Sequence, residues 1–547
     1  MTLFFIGICQ VVSFILVALG QNAWHSWCGP LAASFAFAIH WKTLEGLSER
    51  QASWVSFFWF LGVSLVQLSW MTDTEYQGFY ILIVYFLIAL ACAWQFSFFS
   101  RKIRTTSKLD GLSILGLCGL WTLMEWSRLY FLCGFAFNFV GLSLSCHLFS
   151  LQMASFFGIL GLSFWVIMTN LMGLRFLKSP RSTFFLCQWV FVIFLPYVYG
   201  MGHIAYHDYV KEKKGDGSYL AVLIQTGLLP SQKYQILERE EEFIHPILQW
   251  RSVLEELATY AKQKMDLVVL PEAAFPFGFD RYVYEKQVVQ KELMDAFGEG
   301  VSESFPADKE PFVQKKLGIG LRVSNAYWIQ TLSNFFHTQV MAGLDVEELG
   351  QNYNSAFSFE PGLLPERYDK RILLPLAEYI PFEGLRKLSR RYGIESFFTA
   401  GTQAEVLGPN KISPSICYEE LFSSIMQEGR EMGAELFVNL TNDGWFPFSR
   451  LSKQHFTQGL IRSVENGVPI IRSCSIGVTA AVDSMGRVIA KLEENQKGAL
   501  YVSVPKYQYR TLFSHWGDAP LIVLCFSFCF IIYGKRVFLR SRSLRHS

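Results

Sequence analysis

Val268-Val269-Leu270-Pro271-Glu272 is the stretch on which the fold turns. An apolar run of strand formers stopped by a proline reads as a short strand, and the acid behind it emerges at the strand's end, where α/β proteins build their sites. Two other stretches have the same form. Tyr368-Asp369-Lys370-Arg371-Ile372-Leu373-Leu374-Pro375 carries Lys370, and Ser415-Ile416-Cys417-Tyr418-Glu419-Glu420 carries Cys417 at the end of a strand over 413–417. A carboxylate, an ammonium and a thiol are the base, oxyanion stabiliser and nucleophile of an acyl-transferring cysteine enzyme. Singly, each has a plainer reading: a solvated loop acid, a surface lysine among Glu366, Arg367, Asp369 and Arg371, and a buried inert cysteine.

Outward from these motifs, strands are expected at 219–225, 267–270, 338–342, 355–359, 413–417, 436–440, 470–473, 479–483 and 500–504. Helices are expected at 236–264, 419–428 and 452–466. Strands alternating with helices, with added hairpins, give α/β layers over 219–505. The composition turns polar between Asp280 and Lys316, which reads as an inserted helix and loop, either a lid over the site or a solvated decoration.

On both sides of this block the chain becomes apolar. Mean hydropathy is +0.25 over 547 residues, 16% of them aromatic. A bilayer needs about 17–25 apolar residues per helix. Such runs fall at 3–19, 30–41, 52–71, 78–99, 109–126, 149–177, 183–202 and 519–533, about eight transmembrane helices, of which the second and last are short. The first lacks a basic leader and a cleavage site, so it reads as a retained span rather than a signal peptide. The organisation expected is a membrane domain over 1–210 with seven helices, a water-exposed block over 219–505 with an insertion at about 280–316, a last membrane helix at 516–535, and a basic tail at 536–547.

Basic residues set the orientation. One set of loops holds Lys42 and Arg50, then Arg101, Lys102, Arg104 and Lys108, then Arg175, Lys178 and Arg181; the tail adds Lys535, Arg536, Arg540, Arg542 and Arg545. The opposite loops hold only Arg128. Both termini are therefore expected in the cytoplasm and the large block outside it, in the periplasm of a bacterial inner-membrane protein. The net charge of +2 reflects this topology and implies no nucleic-acid partner. Nine of the 11 cysteines, Cys133 among them, lie in or beside apolar runs, where they pack as small hydrophobes. Only Cys417 and Cys474 belong to the outer block, and a disulfide between them is an open alternative. No CxxC or HExxH spacing suggests a metal.

The order Glu272, Lys370, Cys417 resembles the nitrilase, or carbon–nitrogen hydrolase, superfamily. Tyr353-Asn354-Ser355, the run 439–446 (NLTNDGWF), Gln454-His455-Phe456 and the run 462–473 (RSVENGVPIIRS) point the same way. With the membrane frame and the segment 373–383 (LLPLAEYIPFE), the whole chain resembles the apolipoprotein N-acyltransferases. That resemblance implies an α-β-β-α sandwich joined to a membrane helical bundle, with Glu272, Lys370 and Cys417 as catalytic triad. It also implies Glu378 and Glu419 as required acids, and Tyr418, Trp445 and the position of Tyr234 as substrate-cleft aromatics. Tyr418 and Trp445 could equally be core; Glu420 reads as a helix-start charge favoured by the macrodipole, and His455 as a packing histidine.

Departures from the family pattern touch the cleft wall. The early run reads Val222-Leu223-Ile224-Gln225-Thr226-Gly227-Leu228-Leu229-Pro230 without the usual Asn, Tyr234 stands where a Trp is expected, Ala136 and Phe137 replace Pro-Trp, and Cys474 lies in Arg472-Ser473-Cys474-Ser475-Ile476-Gly477. Implied partners are a phospholipid acyl donor, a diacylglyceryl-modified apolipoprotein acceptor and the bilayer, with no cofactor and no nucleotide. In this reading Lys370 also lowers the pKa of the thiol. A membrane-tethered amidase acting on a small C–N substrate is the nearest alternative; a non-catalytic transporter or scaffold is the next. Few polar groups (Glu125, Arg128, Asn138, Asn170) sit in or beside the spans, against a transporter.

Overall fold

The computed structural model describes residues 3–21, 23–131, 134–215, 217–236, 238–316, 318, 320–381 and 397–543. Cys133, Glu383 and Arg545 lie outside the described residues. The chain forms two compact units: one of Met1–Lys214, Lys453–Asn466 and Arg510–Ser547, the other of Gly215–Ser452 and Gly467–Tyr509.

In the first unit every apolar run of the sequence falls on helix. The runs become Leu3–Ala18, a broken helix through Cys28–Leu31, Ala32–Ala36 and Phe37–Thr43, then Glu49–Gln67, Tyr80–Thr105, Gly111–Ser127, Ala154–Lys178, Thr183–Lys214 and Ala519–Ser543. Tyr80–Thr105, Ala154–Lys178 and Thr183–Lys214 are long and apolar enough to cross a membrane; Phe4–Ala18 and Ala519–Ile532 are shorter apolar helices. Two starts are capped as the sequence dictates. Ser48 and Gln51 form a reciprocal capping box, and Asp110 accepts from Ser113 N at 2.8 Å. Helix Thr183–Lys214 leaves Phe184, Phe191, Phe194, Val198 and Tyr206 more than half exposed. An apolar face that wide, on a helix long and apolar enough to cross a membrane, is an interaction surface rather than a water-facing one.

The run 462–473 divides between the units. Its first part ends helix Leu451–Asn466, whose buried Glu465 accepts from Ile159 N at 2.9 Å. Ile159 N is free for this because Phe157 and Gly158 break the helical dihedrals of Ala154–Lys178. Gly158 has φ +62°, and a Cβ there would stand 2.7 Å from the Phe513 ring and 2.9 Å from Glu465 Oε1; only glycine fits.

The second unit is built on two sheets. The first contains β1 (Ser218–Gln225) and β2 (Leu267–Val269), then, past a small sheet of β3 (Tyr284–Glu285), β4 (Val313–Lys316) and β5 (Gly320–Val323), β6 (Gln339–Glu348), β7 (Gln351–Phe359) and β8 (Glu366–Asp369). The second contains β9 (Ile412–Ile416), β10 (Leu436–Thr441), β11 (Ile470–Cys474), β12 (Ala480–Val482) and β13 (Val488–Lys491); β14 (Gly498–Pro505) returns to the first. The orders are β14-β1-β2-β6-β7-β8 and β13-β12-β11-β10-β9. β1, β2 and β6 are parallel, as are β9, β10 and β11.

Period-two alternation decides the layers. Val222, Ile224 and Val268 face a cluster with Trp250, Leu254, Trp328 and Leu332 of helices Pro246–Ala258 and Asn325–Phe336. Ala221, Leu223, Leu267 and Val269 face Ile412, Ile416, Val438 and Ile471 of the opposite sheet. Helix Ser423–Glu431 lies on the far side, where Gly429 passes so close to Ser413 that a Cβ would stand 2.0 Å from its Oγ. The result is an α-β-β-α sandwich.

Three local expectations change. The helix expected over 419–428 is preceded by the 3-10 turn Cys417–Leu421 and begins only at Ser423, running to Glu431. The helix expected over 236–264 is confined to Pro246–Ala258, because Pro246 fixes its first turn and residues 240–242 form a separate 3-10 turn. The polar stretch 280–316 is not simply a solvated decoration: Tyr284, Val289, Leu293, Val301 and Phe312 are buried in the core of the helical layer.

Candidate active site

Glu272, Lys370 and Cys417 stand just beyond the ends of β2, β8 and β9. The turn holding Glu272 is stitched to β6 by Leu270 N to Met341 O (2.8 Å), Gly343 N to Pro271 O (3.2 Å) and Ala274 N to Gly343 O (2.8 Å). Gly343 permits this approach, because a Cβ there would lie 2.6 Å from Glu272 Cα. Glu272 is 6% exposed and Lys370 2%. Asn354 Nδ2, from β7, donates to Glu272 Oε1 at 2.8 Å and to Glu378 Oε1 at 3.2 Å. Lys370 Nζ donates to Glu378 Oε1 at 2.8 Å and lies 3.4 Å from Glu272 Oε1. Glu378 Oε2 accepts from Leu374 N at 2.7 Å. The ammonium thus sits between two carboxylates that share one amide, and they hold Lys370 above the ordinary lysine value against the opposing effect of burial.

Cys417 has φ +50°, the left-handed region, at the start of the 3-10 turn Cys417–Leu421. Its carbonyl accepts from Asn439 Nδ2 at 3.3 Å. Burial, with Glu272 second, raises the thiol well above its ordinary value, and the opposing effect of Lys370 does not reverse this. Lys370 does lower the thiol pKa, as expected, but desolvation of the anion outweighs that attraction and the net shift is upward. A thiol in this site is protonated at rest, so its proton must be taken during attack.

Glu419 links this turn to the lysine. Its Oε1 accepts from Arg371 N (2.6 Å), Ile372 N (3.1 Å) and the Tyr368 hydroxyl (2.9 Å), and Oε2 from Ile416 N (2.8 Å). One fully buried carboxylate therefore ties the chain after Lys370 to the chain before Cys417. Glu420 lies at the start of the 3-10 turn, as read from sequence, but it is an ion-paired interior charge. It is fully buried and accepts from Arg472 Nε at 3.0 Å.

Of the aromatics, Tyr418 is buried with its ring edge-on to Phe422, 5.1 Å between centroids. Trp445 is 39% exposed, and the Tyr234 hydroxyl donates to Ala273 O at 3.3 Å, directly behind Glu272. His455 is buried in helix Leu451–Asn466. Cys417 and Cys474 are separate thiols. Nothing in the sequence marks Asn354, Lys233, Asp345, Asp443 or Arg472 as functional, although Asn354, Asp443 and Arg472 fall within the motifs Tyr353-Asn354-Ser355, 439–446 and 462–473. Lys233 is fully buried, donates to Ser475 Oγ at 2.8 Å and is pushed down to about 8 by burial. Burial and the charge of Glu272 raise Asp345 to about 7.

Residues 234–511 match the carbon-nitrogen hydrolase family, and residues 13–172 match the apolipoprotein N-acyltransferase N-terminal domain. An apolipoprotein N-acyltransferase of Chlamydia pneumoniae is 32% identical over 564 residues, covering 98% of each chain. One of Shewanella oneidensis is 26% identical, covering 96% of this chain and 95% of that protein. Among solved structures, a carbon-nitrogen hydrolase from Helicobacter pylori G27 covers 53% of this chain and 90% of its own, at 17% identity and a TM-score of 0.33. By its relatives over nearly the full length and by both matched domains, the chain belongs to the apolipoprotein N-acyltransferase family.

Proposed function

We propose that the chain transfers a fatty acyl group from a membrane phospholipid, through a thioester on Cys417, to the α-amine of the diacylglyceryl-modified N-terminal cysteine of apolipoproteins. The observation that carries this reading is the buried junction of Glu272, Asn354, Glu378 and Lys370, of which Glu272 and Lys370 act by their charges on the Cys417 thiol. The family supports the class of reaction, and the long apolar helices supply the reason for membrane-borne substrates.

The raised thiol sets the order of events. Glu272 takes the thiol proton as sulfur attacks the ester carbonyl of the donor. Lys370, held by Glu378, and a backbone N–H beside Cys417 stabilise the tetrahedral oxyanion; one such donor contributes about 3 kcal/mol. The C–O bond breaks, Glu272 gives its proton to the departing lysophospholipid, and the acyl chain remains on sulfur. The acceptor amine then attacks the thioester, Glu272 takes the amine proton, the amide forms and the Cys417 sulfur leaves and is reprotonated. Thioester to amide is downhill, so no nucleotide is needed. Trp445 and Tyr234 form aromatic wall of the cleft and keep water from the thioester. The membrane part spans the bilayer about eight times, with both termini in the cytoplasm and residues 219–505 in the periplasm of an inner membrane.

The test is mass spectrometry of the peptide holding Cys417 after the purified protein meets phospholipid vesicles. The expected product is an acyl adduct on Cys417, discharged by a lipopeptide acceptor and missing in Cys417→Ala, which still folds and inserts. Acyl transfer that persists in Cys417→Ala overturns the reading.

A further inference from the structure

Arg472 takes no part in the chemistry above, yet it lies at the centre of the second sheet with its guanidinium spent on two turns that border the thiol. Its Nε donates to Glu420 Oε1 at 3.0 Å, Nη2 to Asp443 Oδ2 at 3.1 Å, and Nη1 to Val478 O at 2.9 Å. The three charged side chains are at most 3% exposed. Glu420 belongs to the same five-residue turn as Cys417. Asp443 opens the turn after β10, and one of its carboxylate oxygens lies within 4.8 Å of Cys417 Sγ. One rigid fork therefore fixes both the turn that carries the nucleophile and a carboxylate within 4.8 Å of its sulfur.

Fold stability alone does not call for such a triad. Two acids and one base in a dry interior cost desolvation, and apolar side chains of similar volume serve packing as well or better. What the triad adds is geometry. Cys417 sits at φ +50°, a conformation an L-residue holds only when its surroundings impose it. Asn439 restrains the Cys417 carbonyl from one side, and Glu420 restrains the far part of the turn from the other.

We propose that Arg472 is a positioning residue for the nucleophile, which holds Cys417 in register with Glu272 and Lys370 by clamping Glu420 to Asp443. The role in acyl transfer rests on the function proposed above; the clamp on the thiol does not. A planar, two-sided fork is needed, and lysine is no substitute because its ammonium is a point donor.

The test uses detergent-solubilised full-length protein and follows alkylation of Cys417 by iodoacetamide, resolved by peptide mass spectrometry, beside thioester formation from phospholipid vesicles. Arg472→Lys and Glu420→Ala are expected to slow alkylation of Cys417 and thioester formation at least tenfold, at unchanged KM for the lipid. Glu420→Gln, whose amide oxygen still accepts from Nε, is expected to stay within about threefold of the parent. Should Arg472→Lys or Glu420→Ala fail to fold, the triple variant Glu420→Met, Asp443→Leu, Arg472→Met restores packing without the clamp. It is expected to fold and to keep the slow alkylation. Parental alkylation rates in the folded variants overturn the clamp, as does equal loss in Glu420→Ala and Glu420→Gln. Slow alkylation in the variants, with no thioester in the parent protein, leaves the clamp standing and refutes the acyl-transfer reading.

Discussion

At the residue scale, what matters is who holds Lys370. Glu378 contributes the 2.8 Å contact to its ammonium, while Glu272 lies at 3.4 Å and is held by Asn354 instead. Glu378→Gln is therefore expected to loosen the oxyanion stabiliser and lower kcat about 100-fold, with lipid KM little changed, in a steady-state transfer assay. Lys233 gives a second prediction. Burial pushes it from 10.5 down to about 8, so its charged form destabilises the fold; that cost is fully present below pH 8 and fades as pH rises towards 10.5. The span corresponds to on the order of 3 kcal/mol. The thermal midpoint of the parent protein is expected to gain on that of Lys233→Met between pH 8 and pH 10; parallel curves refute it.

At the scale of elements, the site depends on how closely two strands pass. Gly343 of β6 leaves no room for a side chain beside Glu272 Cα. Gly343→Ala is expected to displace the Glu272 turn and cost about 100-fold in activity with the fold retained, since misplacement of about 1 Å has that effect. Circular dichroism checks the fold and the transfer assay checks the rate. Glu419 acts between elements, accepting three backbone N–H groups and one hydroxyl across the gap from β8 to β9. Glu419→Gln turns one acceptor into a donor facing N–H groups, and the expected loss is about 2–3 kcal/mol, read from the thermal midpoint.

At the scale of the whole molecule, the chain joins long apolar helices to a sandwich with its own buried apolar cores. Basic residues cluster on one set of helix connections, so a periplasmic reporter fused after Val504 is expected to be active and one fused at Ser547 silent. The opposite result refutes the proposed orientation. The legibility of this architecture was uneven. Apolar runs and period-two alternation are local signals, and the helices and strands follow them closely. Residues 280–316 misled because their sequence is polar on average, while a minority of apolar side chains, among them Val289, Leu293 and Val301, turn inwards and Val283 and Val288 stay exposed.

The sequence by itself determined the family, the two kinds of domain and the strand ends at which Glu272, Lys370 and Cys417 stand, because these follow from short-range pattern and motif order. Only the tertiary structure decided which charges meet. Glu420 finds Arg472 across 52 positions of chain, and Asn354 reaches Glu272 across 82. It also decided the direction of the thiol's pKa, since that depends on how completely water is stripped from Cys417, and desolvation belongs to packing rather than to any run of letters.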